Sequence, residues 1–163
     1  LLMTTNNMEN KKPKITVLYV DDEENNLVSF KATFRFKYKI FTAISGSEAI
    51  DIVKKNSIDV IVTDQRMPEM TGVELLEEII NIDPEPMRIL LTGYTDMGAV
   101  IDAVNKGKIF HYLNKPWSEE ELDETINRAY DIYSERKNLL DTYSKLELSN
   151  EQLEFLLRQK LLS

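Results

Sequence analysis

The stretch ITVLYVDD, residues 15–22, is an apolar run that stops at two aspartates. The pattern recurs three times, because IDVIVTD ends at Asp64, MRILLT ends at Thr92 and IFHYLNK ends at Lys115. Short apolar runs that alternate with stretches of helical periodicity are typical of βαβ units around a parallel sheet. Since near-continuous apolar strands are usually covered on both faces, the pattern predicts an α/β fold with a doubly wound sheet.

The predicted elements follow from this alternation. We expect five strands and five helices, and the last helix has no Gly or Pro after Pro116 to end it. The predicted strands lie near residues 14–20, 39–44, 58–63, 87–92 and 109–113, and the predicted helices near 24–36, 46–56, 72–82, 96–106 and from 118 onward.

The polar strand ends indicate a functional site. Carboxyl ends of parallel strands share one edge of a sheet, and open α/β sheets bind ligands there, at a topological switch point. Asp21, Asp22 and Asp64 would then converge with the hydroxyl of Thr92 and the ammonium of Lys115. Three neighbouring carboxylates repel one another, so a divalent cation is the natural neutraliser, and oxygen ligands favour Mg²⁺. The sequence therefore predicts a metal-assisted phosphoryl site.

Taken singly, each of these residues has a simpler explanation. Asp64 could be a turn residue, Asp21 and Asp22 could cap the first helix, and Thr92 could be an ordinary β-branched strand residue. Lys115 before a proline could be a solvated charge in a turn. The functional interpretation depends on their joint occurrence at the ends of strands one, three, four and five.

Composition excludes several function classes. The chain has 163 residues, 42% of them hydrophobic, with a formal net charge of -8 and no cysteine. The acidic balance disfavours direct nucleic-acid and membrane-surface binding, and thiolate metal sites and disulfides are unavailable. No apolar run approaches the roughly 20 residues that span a bilayer. We expect a cytoplasmic protein with one domain, a flexible tail at residues 1–13 and a C-terminal appendage.

The appendage carries a heptad pattern. Two interleaved series of positions form one seam along the predicted last helix, which favours a two-helix coiled coil and a homodimer. Apolar residues off the seam, such as Leu148 and Phe155, leave open how many helices form the coiled coil and in which register they pair. A frayed helix or linker is the alternative. The seam comprises Ile132, Leu139, Leu146, Leu153 and Lys160, with Ala129, Arg136, Tyr143, Asn150 and Leu157.

The sequence resembles the receiver domain of bacterial two-component response regulators. The motifs that carry the resemblance are VLYVDDE, TDQRMPEMTG, LLTGY and HYLNKPW, at spacings like those of the family. The resemblance spans about residues 14–132 and implies a flavodoxin-like (βα)5 fold with strand order 2-1-3-4-5. Residues 133–163 would then be a helical extension, a coiled-coil linker to an effector absent from these residues.

The resemblance also implies roles for the site residues. Asp64 would be the phosphoacceptor, and Lys115 and Thr92 would hold the phosphoryl oxygens. Mg²⁺ would be bound directly by Asp22 and Asp64, through water by Asp21, and by the backbone carbonyl of Arg66. Thr92 and Tyr112 would form the switch, and the Lys115–Pro116 peptide would be cis. The partners would be a sensor histidine kinase or phosphotransfer protein and a downstream effector.

The sequence fits two other phosphate-related functions less well. An aspartyl-phosphate hydrolase of the haloacid-dehalogenase type needs a second Asp two residues after the nucleophile, where this chain has Arg66. A flavin binder needs a phosphate-cradling loop after the first strand, where Asp21 and Asp22 would repel the phosphate. A receiver-shaped dimerisation scaffold that works without phosphorylation is the remaining alternative. We expect a signalling domain rather than an enzyme. The HYLNKPW motif followed by an uninterrupted helix resembles receivers that are joined to second-messenger enzymes, which suggests such an enzyme as the effector.

Overall fold

The computed structural model describes residues 13–93, 95 and 97–162, so the predicted tail at residues 1–13 lies almost entirely outside the described residues. Five strands and five helices alternate along the chain, as predicted. They are β1 (Ile15–Val20), α1 (Glu24–Phe34), β2 (Tyr38–Ala43), α2 (Gly46–Lys55), β3 (Val60–Asp64), α3 (Gly72–Ile82), β4 (Met87–Thr92), α4 (Met97–Asn105), β5 (His111–Asn114) and α5 (Glu119–Leu161).

The strands form one parallel sheet in the order β2-β1-β3-β4-β5. This confirms the predicted doubly wound, flavodoxin-like architecture. The order changes direction between β1 and β3, which places the carboxyl ends of these two strands on either side of the switch point. The ends of β4 and β5 follow on the β3 side of the sheet.

Each face of the sheet has its own apolar core. On one face, α1 and α5 pack against β1 and β4 through residues such as Phe30 and Ile126. On the other face, α2, α3 and α4 pack through residues such as Leu76 and Val100. Because β1, β3 and β4 are covered on both faces, nearly every side chain in these strands is buried, which explains their continuous apolar sequences.

Two strands begin two residues later than the sequence predicted. β3 begins at Val60 rather than at residue 58, although the backbone of Asp59 already hydrogen-bonds to Thr16 and to Met87. β5 begins at His111 rather than at residue 109, since Ile109 is buried in the core before the pairing with β4 starts. Apolar sequence marks burial here and not strand pairing.

The last helix is one continuous element of 43 residues. It begins at a capping box, in which the Ser118 hydroxyl accepts from the backbone N–H of Glu121 at 3.1 Å. Its first part packs on the sheet through buried side chains from Leu122 to Tyr133, and every described residue from Glu135 onward is exposed. None of the described helices is long and apolar enough to cross a membrane.

Candidate functional site

Three carboxylates meet at the switch point of the sheet. Asp21 and Asp22 directly follow β1, and Asp64 is the last residue of the neighbouring β3. One carboxylate oxygen from each residue lies within 4.8 Å of the others. Asp21 and Asp64 are buried, with 0% and 7% of their surface exposed, whereas Asp22 is partly exposed. The structure thus brings together the three acids that the sequence singled out.

Lys115 and Thr92 border this cluster from β5 and β4. The ammonium of Lys115 lies 2.7 Å from Oδ1 of Asp64, and the backbone N–H of Lys115 donates to the carbonyl of Thr92 at 2.9 Å. The Thr92 hydroxyl is almost fully buried and donates to the carbonyl of Gly93 at 2.9 Å. The Lys115–Pro116 peptide is cis, as the resemblance implied. A cation and a hydroxyl therefore flank the carboxylate of Asp64.

Asp21 is held by a network that the sequence analysis missed. Its Oδ2 accepts from the hydroxyl of Tyr19 and from the side-chain amide of Asn26, both at 3.1 Å, and its Oδ1 accepts from the backbone N–H of Glu23 at 2.9 Å. The Tyr19 ring stacks on Phe30 at a centroid distance of 4.1 Å. Because side chains two apart in a strand share a face, the spacing of Tyr19 and Asp21 was the available signal.

The electrostatics of Asp64 favour a bound cation. Burial raises the pKa of Asp64 above its usual range, and the nearby Asp21 carboxylate raises it further. Lys115 and the backbone N–H of Gln65 oppose this shift in the pKa without reversing it. Ionising Asp64 inside the cluster is therefore unfavourable, and a divalent cation would offset that cost.

The donor set fits a hard cation such as Mg²⁺. The cluster offers carboxylate oxygens only, and hard cations such as Mg²⁺ prefer oxygen. The partial exposure of Asp22 leaves room for water, which Mg²⁺ usually retains. A cavity of about 500 Å³ opens beside Asp21 and Lys115, so the cluster is reachable from solvent.

The loop after Asp64 is fixed by a close approach of helix α3. The backbone N–H of Gln65 donates to Oδ1 of Asp64 and to the carbonyl of Leu91, and its side-chain oxygen accepts from the N–H of Val73 at 2.9 Å. At Gly72, an added Cβ would lie 2.4 Å from the carbonyl oxygen of Asp64. Only glycine allows this packing, so Gly72 and the buried Gln65 set the direction in which Asp64 points.

The remaining predicted residues lie around this centre. Arg66 is exposed, and its guanidinium donates to the hydroxyl of Thr95 at 2.7 Å. Tyr112 is half-buried in β5 and packs on the core that contains α4. Tyr94, the last residue of the LLTGY motif, lies outside the described residues.

Comparison with known proteins assigns the chain to a family. The model of the family described as the response regulator receiver domain matches residues 17–127. The chain belongs to the response regulator receiver family. All of the acids described above, with Thr92 and Lys115, fall inside the matched range. The assignment confirms the resemblance and decides against the hydrolase and the flavin binder, because receivers are signalling domains.

Curated relatives place the receiver within longer regulators. The chain is 35% identical over 145 residues to the hydrogenase transcriptional regulatory protein HoxA of Cupriavidus necator, which covers 89% of this chain and 29% of HoxA. It is 31% identical over 117 residues to the transcriptional regulatory protein ZraR of Salmonella typhimurium, which covers 71% of this chain and 26% of ZraR. The chain thus spans less than a third of these relatives.

Solved structures agree with the receiver assignment. A response regulator receiver domain protein from Clostridium thermocellum is 36% identical, with a TM-score of 0.70, and the match covers 77% of this chain and 98% of that one. A crystal structure described as the adenylate cyclase from Rhodopirellula baltica is 32% identical, with a TM-score of 0.75, and the match covers 79% of this chain and 98% of that one. Similar receiver structures thus come from proteins of different described activities.

Replacing Tyr19 by phenylalanine is expected to weaken Mg²⁺ binding. The variant keeps the ring stacked on Phe30 but removes the hydrogen bond to Asp21, and loss of a partner that orients a metal ligand typically costs about tenfold in affinity. Titration of the fluorescence of Trp117, which lines the same cavity, measures the affinity. Tyr130→Phe, at a partly buried position of α5, is the matched control, and equal affinities for both variants would contradict the role of Tyr19.

Proposed function

We propose that this receiver is a phosphorylation-dependent switch in which Asp64 accepts a phosphoryl group from a sensor histidine kinase or a phosphotransfer protein. The observation that carries the proposal is the position of Asp64. It is buried beside two further acids, and one of its oxygens lies 2.7 Å from the ammonium of Lys115. A carboxylate that served only as a turn or cap residue would not require this surrounding set of charges.

The proposed transfer needs positioning and charge neutralisation. A carboxylate oxygen of Asp64 forms a bond to phosphorus while the bond from phosphorus to the donor breaks, and the donor leaves with its electron pair. Lys115 neutralises negative charge on the phosphoryl oxygens, and the Thr92 hydroxyl donates to one of them. Bound Mg²⁺ would neutralise the acids and the transferring oxygens. It would be held by Asp21, Asp22, Asp64 and the backbone carbonyl of Arg66.

The proposed switch links Thr92 to the long helix. In the structure, the Thr92 hydroxyl donates to Gly93, so donation to a phosphoryl oxygen requires it to change partner. That movement would open space for the ring of Tyr112, which packs beside α4. The affected face consists of α4, β5 and α5, and α5 continues without a break to Leu161. Phosphorylation would then bias an equilibrium between two arrangements of this face.

The domain boundaries and partners form part of the same proposal. Residues 14–132 would be the receiver, and residues 133–163 would be a linker that dimerises and leads to an effector. The names of HoxA and ZraR favour a transcriptional regulator as the whole protein, whereas the neighbour described as an adenylate cyclase favours a second-messenger enzyme. The acidic charge of the chain argues that any contact with nucleic acid is made by the effector.

Acetyl phosphate with Mg²⁺, followed by intact mass spectrometry, tests the proposal. The chain is expected to gain one phosphoryl group with Mg²⁺ and none when EDTA removes the metal. Absence of a gain under both conditions, with the protein folded by circular dichroism, would favour the phosphorylation-independent scaffold instead.

Replacing Arg66 by alanine is expected to shorten the lifetime of the phosphorylated form several-fold. Arg66 follows Asp64 by two residues and donates to Thr95, which follows Thr92 by three, so we expect its removal to open a path for the water that hydrolyses the acyl phosphate. The decay of the phosphorylated mass after removal of acetyl phosphate measures the rate. Arg66→Lys, which keeps a long cationic side chain, should stay close to the original chain; identical decay of the original chain and Arg66→Ala would refute this role.

A further inference from the structure

The outer part of α5 carries an apolar stripe that the domain does not cover. From Leu139 onward, the leucines and the tyrosine of the heptad seam are more than half exposed. The exposed fractions are 68% for Leu139, 64% for Tyr143, 57% for Leu146, 57% for Leu153 and 53% for Leu157. A regular apolar stripe of this length, with one polar interruption at Asn150, is the pattern of a helix that pairs with another helix.

The domain packs against the first part of the same helix, including the seam positions Ala129 and Arg136. Tyr133 is buried against the sheet, and this burial raises its pKa to about 12, with a further contribution from the neighbouring Asp59 carboxylate. One turn further on, Arg136 contacts the sulfur of Met87 at 3.8 Å, and Leu140 lines a small pocket that also contains Pro84. These contacts fix the start of the outer helix and leave the seam from Leu139 to Leu157 directed away from the domain.

We propose that the occupant of this seam is a second copy of the chain, aligned parallel and in register. The proposal rests on the dimerisation suggested above and adds an orientation and a register to it. In the heptad numbering, Leu139, Leu146 and Leu153 occupy d positions, where leucine favours two-stranded parallel pairing. Tyr143, Asn150 and Leu157 occupy the a positions between them.

Asn150 selects the parallel alignment. In a parallel, in-register pair, a positions face a positions, so the two Asn150 side chains meet and can hydrogen-bond to each other. In an antiparallel pair, an a position faces a d position, and every d position between residues 139 and 153 is leucine. Asn150 would then be buried without a partner, which costs free energy.

Charges beside the seam favour the same alignment. Parallel pairing places each g position next to the e position five residues later in the partner helix, and these pairs contain no two like charges. Antiparallel pairing places e positions together, which brings Glu147 close to Glu154 of the other copy. The parallel g–e pairs are Thr142 with Glu147, Ser149 with Glu154 and Leu156 with Leu161.

A second, shorter stripe lies on the opposite face of the helix. Leu148, Phe155 and Leu162 occupy f positions and are also exposed. The preceding f position is Asp141, so this stripe starts nine residues after Leu139. It has one apolar residue per heptad, whereas the seam has two positions per heptad. It provides matched controls, because it offers residues of similar size and exposure on the same stretch of helix.

Cysteine cross-linking tests the orientation, and the absence of native cysteines makes single substitutions unambiguous. Leu139→Cys and Leu153→Cys lie 14 residues apart, about 21 Å along the helix. In a parallel, in-register dimer each cysteine meets its own copy within disulfide reach, so both variants are expected to form cross-linked dimers on mild oxidation. Leu148→Cys and Phe155→Cys should remain largely uncross-linked.

Each alternative arrangement gives a different result. An antiparallel pair would cross-link at one of the two seam positions at most, and pairing through the second stripe would cross-link Leu148→Cys or Phe155→Cys; either result overturns the proposal. So does the absence of cross-links at both seam positions, with and without acetyl phosphate and Mg²⁺. The intact mass of the same samples reports phosphorylation separately, so failure of the dimer and failure of the phosphotransfer are distinguishable.

Discussion

Replacing Asp64 by asparagine is expected to abolish phosphorylation of the chain completely. The amide cannot form the acyl phosphate, while its size and its hydrogen bond from Gln65 are retained. Lys115 and the other acids stay in place, so a loss would reflect the missing nucleophile rather than a rearranged site. Intact mass after incubation with acetyl phosphate and Mg²⁺ measures the outcome.

Asp51→Asn on the exposed face of α2 is the matched control for this substitution. It removes the same charge at a distance from the switch point and should gain one phosphoryl group, as the original chain does. A full phosphoryl gain in Asp64→Asn would mean that another residue is the acceptor, and the proposed roles of Lys115 and Thr92 would have to be reassigned.

Replacing Gly72 by alanine is expected to lower the free energy of unfolding by about 3 kcal/mol, the upper part of the range for overpacked cores. The new Cβ would lie 2.4 Å from the carbonyl oxygen of Asp64 and 2.7 Å from a methyl carbon of Leu90, and neither β3 nor the start of α3 has room to move. The displaced backbone of Asp64 should also reduce the rate of phosphorylation.

Gly98→Ala in α4 is the control for that prediction. Nothing lies within 4 Å of a Cβ at this position, so the variant should be as stable as the original chain or more stable by up to about 1 kcal/mol, the helix preference of alanine. Urea denaturation compares the variants. If Gly72→Ala matched Gly98→Ala in stability, the close packing of α3 against Asp64 would be refuted.

Much of the fold was predictable from the sequence because apolar strand runs and helical periodicity are both strong signals. The alternation of apolar runs with helical periodicity reports the burial of a parallel sheet on both faces, and all five strands and five helices were found by it. The errors lie at Ile58 and Ile109, which are buried like strand residues but precede the paired ladder. Buried residues before a strand and paired residues within it are both apolar, so a sequence defines the start of a strand less well than its centre.

The site was predictable only in part, for a related reason. Asp21, Asp22, Asp64, Thr92 and Lys115 stand at strand ends, and the topology of a parallel sheet brings strand ends together. Asn26 and Gln65 act through hydrogen bonds that form only inside the fold, and Tyr19 is marked only by its two-residue spacing from Asp21. The close approach at Gly72 likewise depends on the direction in which α3 leaves the loop, which only the folded chain defines.

A crystal structure with Mg²⁺ and beryllofluoride tests the central claim most directly. The account predicts beryllium bonded to a carboxylate oxygen of Asp64, fluorine atoms in contact with Lys115 and Thr92, and a metal ion bound directly by Asp22 and Asp64 and through water by Asp21. Crystals that contain both reagents and leave this edge of the sheet empty, or that bind beryllofluoride at another carboxylate, would contradict it.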